Sequence, residues 1–384
     1  MHIRLNHGFG VFNDTSKTTS GQRFFNELTQ ELSSESIPLY RNPKVILFNI
    51  SAPWKTVLFA KLRKQKIVLR VDGLYSDKLS DGFINELNFI IRLILKIGIK
   101  CKIFHNSLAH FANFINQNYS GFFRILLADY IIYQSIFSYR IHQKYFPMKP
   151  YSIIVNGSKF KNIESKVSED FSSEINLVTI YDDWKPAKRI QDIVHFVQWA
   201  NEVKQIPIYL SIIGYTGKVP IGSASDMKVT IEDSPYIRTL PRFKIYSNEV
   251  SMTLIESDLY ISFSYRDPCP NVIVEAMAHG LPVVAIGSGG VPDIVGSAGI
   301  LLPANDFENG FFSAHRYEYN FPRIDFEKVL EAIQVVMANY ENYEVEVRKR
   351  FESKLGIDVV ASRYAKVMRQ LIVSSHEGVH GGRI

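Results

Sequence analysis

At 384 residues, 46% hydrophobic and 21% charged, the chain is too long for one ordinary core and has the composition of a folded two-domain protein, not a disordered or fibrous one. Two cysteines, Cys101 and Cys269, exclude a disulfide framework and suit a reducing, cytoplasmic compartment, while no run of about 18 apolar residues offers a membrane span. The net charge of +6 is unevenly placed, with 22 Lys and Arg against 10 Asp and Glu through Ser165 and 22 against 28 thereafter, so the first half fits an anionic lipid surface or a phosphate-bearing acceptor, or is a solvated basic face; no nucleic-acid module is present.

His2 to Asn6 reads as a first buried strand, followed by a long polar loop and a helix from Gly21 to Leu32. Small and polar residues ahead of that helix make a phosphate cradle or a plain loop, with Gly21 letting backbone approach a ligand. Strands at Val45–Ile50 and Lys66–Val71 flank a helix from Pro53 to Gln65, an alternation that predicts a parallel sheet covered on both faces. Arg70, Asp72 and Gly73 leave the C-terminal end of a strand, where such sheets place ligands, so Asp72 is either an acceptor contact or base, or a turn-forming Asp-Gly. The aliphatic and basic stretch Gly82 to Lys102 fits a membrane surface or a core helix followed by a strand. Strands at Ala128–Ser135 and Tyr151–Val155, with an Asn156-Gly157 turn, complete this half; Asn162 to Ser173 reads as a linker.

The second half restarts the pattern at Ile175–Tyr181 and Pro207–Gly214, and a helix from Glu249 to Ser257 leads to Leu259–Phe263. In the stretch Ser262 to Pro292, prolines at 268 and 270 stiffen a loop, a short helix starts at Pro270 or Asn271, and Gly280 and Pro282 close it. Asn271, Glu275 and His279 fall four apart on one helical face. The helix start beside the loop from Cys269 to Val272 suits a phosphate or sugar hydroxyl. Strands at Pro282–Ile286 and Ala298–Pro303 follow, then helices at Phe326–Tyr340 and Ile357–Val373. His376-Glu377-Gly378-Val379-His380 matches a zinc-protease string but holds a glycine and runs into Gly381-Gly382, and no D-x-D string occurs; no metal is expected.

Asp267 and Glu275, with seven residues between them, in this strand-loop-helix context resemble the donor-binding signature of the retaining family 4 glycosyltransferases of the GT-B fold, although that family usually has Glu first. The resemblance implies an α/β fold of two Rossmann-like parallel-sheet domains facing across a cleft: 1–165 on the acceptor side, 174–355 for the donor, a terminal helix 356–374 crossing back, and a flexible tail 375–384. It implies that Glu275 holds the ribose diol of a nucleotide, which suits a carboxylate able to accept two hydrogen bonds, and that Asp267 and the backbone at Asn271 and Val272 hold the transferred sugar. Lys188 matches a family lysine that neutralises the leaving diphosphate, Asp183 stands where the family has arginine, and Arg189 is the substitute cation. The loop at Gly21 would close on the diphosphate from the opposite domain. The implied activity is metal-independent transfer of a sugar from a nucleotide-sugar to a saccharide or lipid-linked acceptor, with retention, in polysaccharide or glycoconjugate biosynthesis, and with no cofactor. A GT-B epimerase or phosphorylase, or a non-catalytic nucleotide-sugar binder, are the alternatives.

Overall fold

The structure is a computed structural model in which residues 9–12, 20–34, 43–73, 93, 121–143, 146–159, 174–181, 186–217, 227–241, 247–304 and 322–377 are described. The expected strand at His2–Asn6, the linker at 162–173, Asp183, Cys101 and nearly all of Gly82–Lys102 lie outside them. In chain order the first half contains β1 (Phe9–Phe12), α1 (Ser20–Ser34), β2 (Val45–Asn49), α2 (Trp54–Leu62), β3 (Lys66–Val71), a helical stretch at 121–127, β4 (Tyr130–Tyr133), α3 (Ile136–Gln143) and β5 (Tyr151–Ile153). The strands form one parallel sheet in the order β1-β2-β3-β4-β5. β1 corrects the reading of Phe9–Phe12 as polar loop: Phe9 is buried and the strand pairs with β2 from Phe9 opposite Val45 to Phe12 opposite Phe48.

The second half contains β6 (Ile175–Ile180), α4 (Ile190–Glu202), β7 (Ile208–Ile213), α5 (Met227–Asp233), β8 (Ile237–Leu240), α6 (Asn248–Glu256), β9 (Leu259–Ser262), α7 (Asn271–Met277), β10 (Val283–Ile286), α8 (Val291–Val295) and β11 (Gly299–Leu302). Then come α9 (Phe326–Ala338), α10 (Tyr340–Arg350), a π-turn over Phe351–Leu355 and α11 (Ile357–Glu377). The second sheet is also parallel, in the order β11-β10-β9-β6-β7-β8. The chain moves outward from β6 to β8, then returns to lay β9 on the other side of β6. That reversal opens a crevice beyond the C-terminal ends of β6 and β9, the place where open α/β sheets bind ligands.

Both sheets are covered on two faces, which is why their strands read as continuous apolar runs. In the first, Phe24, Phe25 and Leu28 of α1 pack with Val360, Tyr364 and Met368 of α11 over one face, and Val57 and Ala60 of α2 with Ile125 over the other. In the second, Ile273, Val274 and Met277 of α7 cover one face, and Ile193 and Val197 of α4 with Val329 and Ile333 of α9 the other. Side-chain caps fix where α6 and α9 begin: the Ser247 hydroxyl accepts from Val250 N, and the Asp325 carboxylate from Glu327 N and Lys328 N.

The two halves touch along a seam. Gly73 packs so closely on Pro268 that a Cβ there would sit 2.8 Å from the proline Cγ. The chain passes into the second domain at Ser158 and returns at Gly356, and the two passages are bonded, Ser158 N to Leu355 O at 3.0 Å and Ile357 N to Ser158 O at 3.0 Å. Asp293 in α8 accepts a 2.7 Å hydrogen bond from Ile136 N, capping α3 of the other domain. Burial raises the Asp293 carboxyl above the usual aspartate range, against the opposing pull of that bond and of Lys354, Arg350 and Arg140. A carboxyl raised in the folded state binds more protons there than in the unfolded chain, so its contribution to stability falls as pH rises through that raised range. Asp293→Asn keeps an acceptor for Ile136 N and removes the titration. The gap in urea midpoint between variant and wild type should move in the variant's favour from pH 4 upward; a pH-independent gap would contradict this role.

Candidate active site

Polar residues line the C-terminal edge of the first sheet: Asn49 ends β2, Arg70 lies one residue before the end of β3, and Asp72, Gln134 and Asn156 follow β3, β4 and β5. Arg70 is fully buried. Its Nη1 donates to Asn49 Oδ1 at 3.2 Å and Asp72 Oδ1 at 2.8 Å, and its Nη2 to Asn156 Oδ1 at 2.9 Å. The guanidinium also lies over the Phe24 ring, 4.8 Å from its centroid. Gln134 Nε2 donates to the same Asp72 oxygen, and the Ser138 hydroxyl donates to the Asp72 carbonyl at 2.7 Å. Asp72 is thus fixed by the sheet edge while its side chain keeps 25% exposure. Gly21, at the start of α1, faces it: a Cβ on Gly21 would lie 3.7 Å from Asp72 Oδ2, at ordinary contact distance.

The crevice of the second sheet supplies the facing groups. Lys188 ends a 3-10 turn, Pro186–Lys188, that follows β6, and Asp267 lies in the loop that follows β9. Tyr265 N donates to Ala187 O at 2.9 Å and joins the two loops, and Lys188 Nζ meets Asp267 Oδ2 at 2.5 Å. The other Asp267 oxygen accepts from Cys269 N at 3.1 Å, and the Asp267 carbonyl accepts from Gly290 N at 2.8 Å. Gly289, at φ +64°, can approach this close because it lacks a Cβ, which would run into the Asp267 carbonyl. Two non-glycine residues with positive φ flank the crevice, Arg189 and Arg266, each at 55°. Arg189 is buried, its Nε bonds Asp192 at 2.9 Å in the first turn of α4, and it lines a groove of about 180 Å³ with Tyr265, Arg323 and Lys328. Lys188 is the cation held against Asp267.

The short helix α7 closes the site from this side. Asn271 Oδ1 accepts from Asn156 Nδ2 at 2.6 Å, and the same Nδ2 reaches Gln134 Oε1 at 3.3 Å, so a polar chain runs from Asp72 to α7. Val272, half-buried, packs against the core below the site. Cys269 is buried, and burial pushes its thiol up to about 12; the neutral sulfur lies 3.5 Å from Asn156 N as an acceptor. Glu275, 6% exposed, points across the seam, where its Oε1 meets Arg23 Nη2 of α1 at 2.8 Å. His279 departs from the expected common face. The helix ends at the Ala278 cap, and the buried imidazole turns to Glu275 O at 2.8 Å and Ser251 Oγ at 3.4 Å.

Asp267, Lys188, Asn271 and Glu275 therefore lie along one side of a seam that has Asp72, Gly21, Asn156 and Arg23 on the other. Three carboxylates and two cations at one place can hold a polyhydroxylated anion: carboxylates accept from hydroxyls, and cations meet phosphate. Sequence reasoning missed Arg23, Gln134 and Asn156 as site residues. For Gln134 the signal was present, a polar residue at the C-terminal end of an apolar parallel strand. Arg23 has no such signal, because its partner lies 252 residues away.

Residues 185–317 match the family model described as "Glycosyl transferases group 1". A 94-residue stretch is 31% identical to the sulfoquinovosyl transferase SQD2 of Arabidopsis thaliana, covering 21% of this chain and 18% of that protein. Among solved structures, HepE of Anabaena, determined with UDP, superposes with a TM-score of 0.58 at 12% identity, covering 94% of this chain and 100% of HepE. WaaG, a glycosyltransferase of lipopolysaccharide biosynthesis, gives 0.57 at 12% identity, covering 94% and 99%. The pneumococcal O-GlcNAc transferase GtfA, determined with UDP and GlcNAc, gives 0.54 at 14% identity, covering 93% of this chain and 62% of GtfA. The chain thus spans less than two thirds of the length of SQD2 and of GtfA. Residues 185–317, which carry Lys188, Asp267 and Glu275, match the model of the group 1 glycosyltransferases, and the described chain has the GT-B fold.

Proposed function

We propose that the chain moves a sugar from a nucleoside-diphosphate sugar to a hydroxyl of a saccharide or lipid-linked acceptor, with retention of configuration and without a metal ion, in polysaccharide or glycoconjugate assembly. The observation that carries this reading is the meeting of Lys188, Asp267 and Glu275 at the crevice of the second sheet with Asp72 across the seam. Glu275 accepts from the ribose diol, Asp267 and the backbone at Asn271 and Val272 hold the sugar, and Lys188 takes up the charge that the diphosphate gains as its bond to the anomeric carbon breaks. Asp72, held in place by Arg70 and Gln134, accepts from the acceptor hydroxyl and takes its proton as the new glycosidic bond forms. Because HepE and GtfA were determined with UDP, UDP-sugars are the first donors to try. In a panel of UDP-, GDP- and ADP-sugars with EDTA present, one donor should release its nucleoside diphosphate. Lys188→Ala should slow that release about 100-fold. Silence from the whole panel would overturn the reading, and release only after divalent metal is added would overturn the metal-free part of it.

A membrane-bound acceptor fits the first domain. Trp54, Phe59 and Leu62 of α2 and Phe122, Phe123 and Leu126 of the 121–127 helix are all exposed, and Trp54 lies 6.0 Å from Phe123, so the two helices present one aromatic face. Exposed Lys55, Arg63 and Lys64 lie along the same segment. No helix among the described residues is long and apolar enough to cross a membrane. We infer that this face rests on an anionic bilayer by its rings and cations. The chain should sediment with phosphatidylglycerol vesicles and not with phosphatidylcholine ones, and the double variant Trp54→Ser, Phe123→Ser should stay in the supernatant; equal sedimentation of variant and wild type would refute it.

A further inference from the structure

We propose that Arg23, a residue of the acceptor-side domain, sets donor affinity by competing with the donor ribose for Glu275. The inference rests on the assignment of Glu275 to the ribose diol. With the Arg23 guanidinium 2.8 Å from Oε1, the Glu275 side chain keeps 8% of its surface, so a diol reaches both carboxylate oxygens only after the guanidinium withdraws. The guanidinium is able to withdraw. Arg23 lies in the first turn of α1, its side chain is 29% exposed, and the packing of that helix rests on Phe24, Phe25 and Leu28 instead. A partly exposed ion pair is weak enough to exchange and strong enough to register in a dissociation constant.

The same contact links the two substrates. Gly21, two residues before Arg23, faces Asp72, and Asp72 is tied through Gln134 and Asn156 to Asn271 on the helix that bears Glu275. Displacing Arg23 therefore moves a cation within the seam beside the acceptor carboxylate when the ribose arrives. The competition also lowers the affinity for nucleoside diphosphate, which carries the same ribose, and so favours product release.

The test is calorimetric titration of UDP, GDP and ADP into the full chain, as wild type, Arg23→Met and Arg23→Gln. Both variants keep an unbranched stem and remove the charge, and thermal unfolding checks that they fold. For the nucleotide that binds the wild type, both variants should bind it about 2- to 5-fold more tightly, the effect of removing a partly exposed ion pair that must otherwise be broken. Unchanged affinity would overturn the role of Arg23, and weaker binding would overturn it by making Arg23 a phosphate ligand. A wild type that binds none of the three overturns the nucleotide site itself and this role with it, an outcome distinct from binding in the wild type without the gain in the variants.

Discussion

Glu275→Ala should bind nucleoside diphosphate about 30- to 100-fold more weakly than wild type, because two hydrogen bonds from the ribose to a charged acceptor are lost at about 1.5 kcal/mol each, partly offset because no Arg23 pair has to be broken. Release of nucleoside diphosphate from the donor should fall at least as far. The fold should survive. Glu275 has Arg23 as an ion partner, and with the carboxylate gone the guanidinium, already 29% exposed, can turn to water at a cost of under about 1 kcal/mol. Loss of binding together with an unfolding midpoint near that of wild type identifies a ligand contact. A folded variant that binds as wild type does would remove Glu275 from the site. Glu275→Gln separates shape from charge: it keeps one carbonyl oxygen for the diol and should recover only part of the affinity.

The second large effect concerns stability. Arg70→Ala should cost about 3–5 kcal/mol, the usual penalty for removing one member of a buried charged network. Asn49 and Asn156 are buried and would each lose a donor, and the Phe24 ring would face a void. Asp72, at 25% exposure, can recruit water in place of the guanidinium, which keeps the penalty within that range. Arg70→Lys retains the charge but lacks the planar fork that spans three acceptors, and should recover less than half of the loss. Urea unfolding of both variants measures this; a cost below about 1 kcal/mol for Arg70→Ala would mean that the network contributes little.

The strands were legible because parallel strands buried on both faces have almost no choice of composition. K-I-V-L-R-V occupies Lys66–Val71 as read, and L-Y-I-S lies within the run expected from Leu259 to Phe263. The second-sheet side of the candidate site was legible for a local reason: Asp267, Asn271 and Glu275 sit on one loop and one helix, so their spacing alone brings them close. Elements that carry little burial left no signal. β8, I-R-T-L, is an edge strand with no fully buried residue, and α10, Y-E-N-Y-E-V-E-V-R-K-R, buries only Tyr340 and Val347. β1 is masked by the glycine in F-G-V-F and by polar neighbours. The Arg23–Glu275 and Asn156–Asn271 contacts depend on how two sheets dock, and no periodicity within either half encodes that.

The return of α11 to the first sheet has a consequence for biosynthesis. One face of that sheet is finished by Val360, Ala361, Tyr364 and Met368, which leave the ribosome after every strand of both sheets has been made. Until they emerge, Phe24, Phe25 and Leu28 lack part of their cover, whereas the second sheet already has α7, α4 and α9 in place. The nascent chain should therefore complete its later domain first and hold the earlier one loosely packed, reversing the N-to-C order in which domains usually mature.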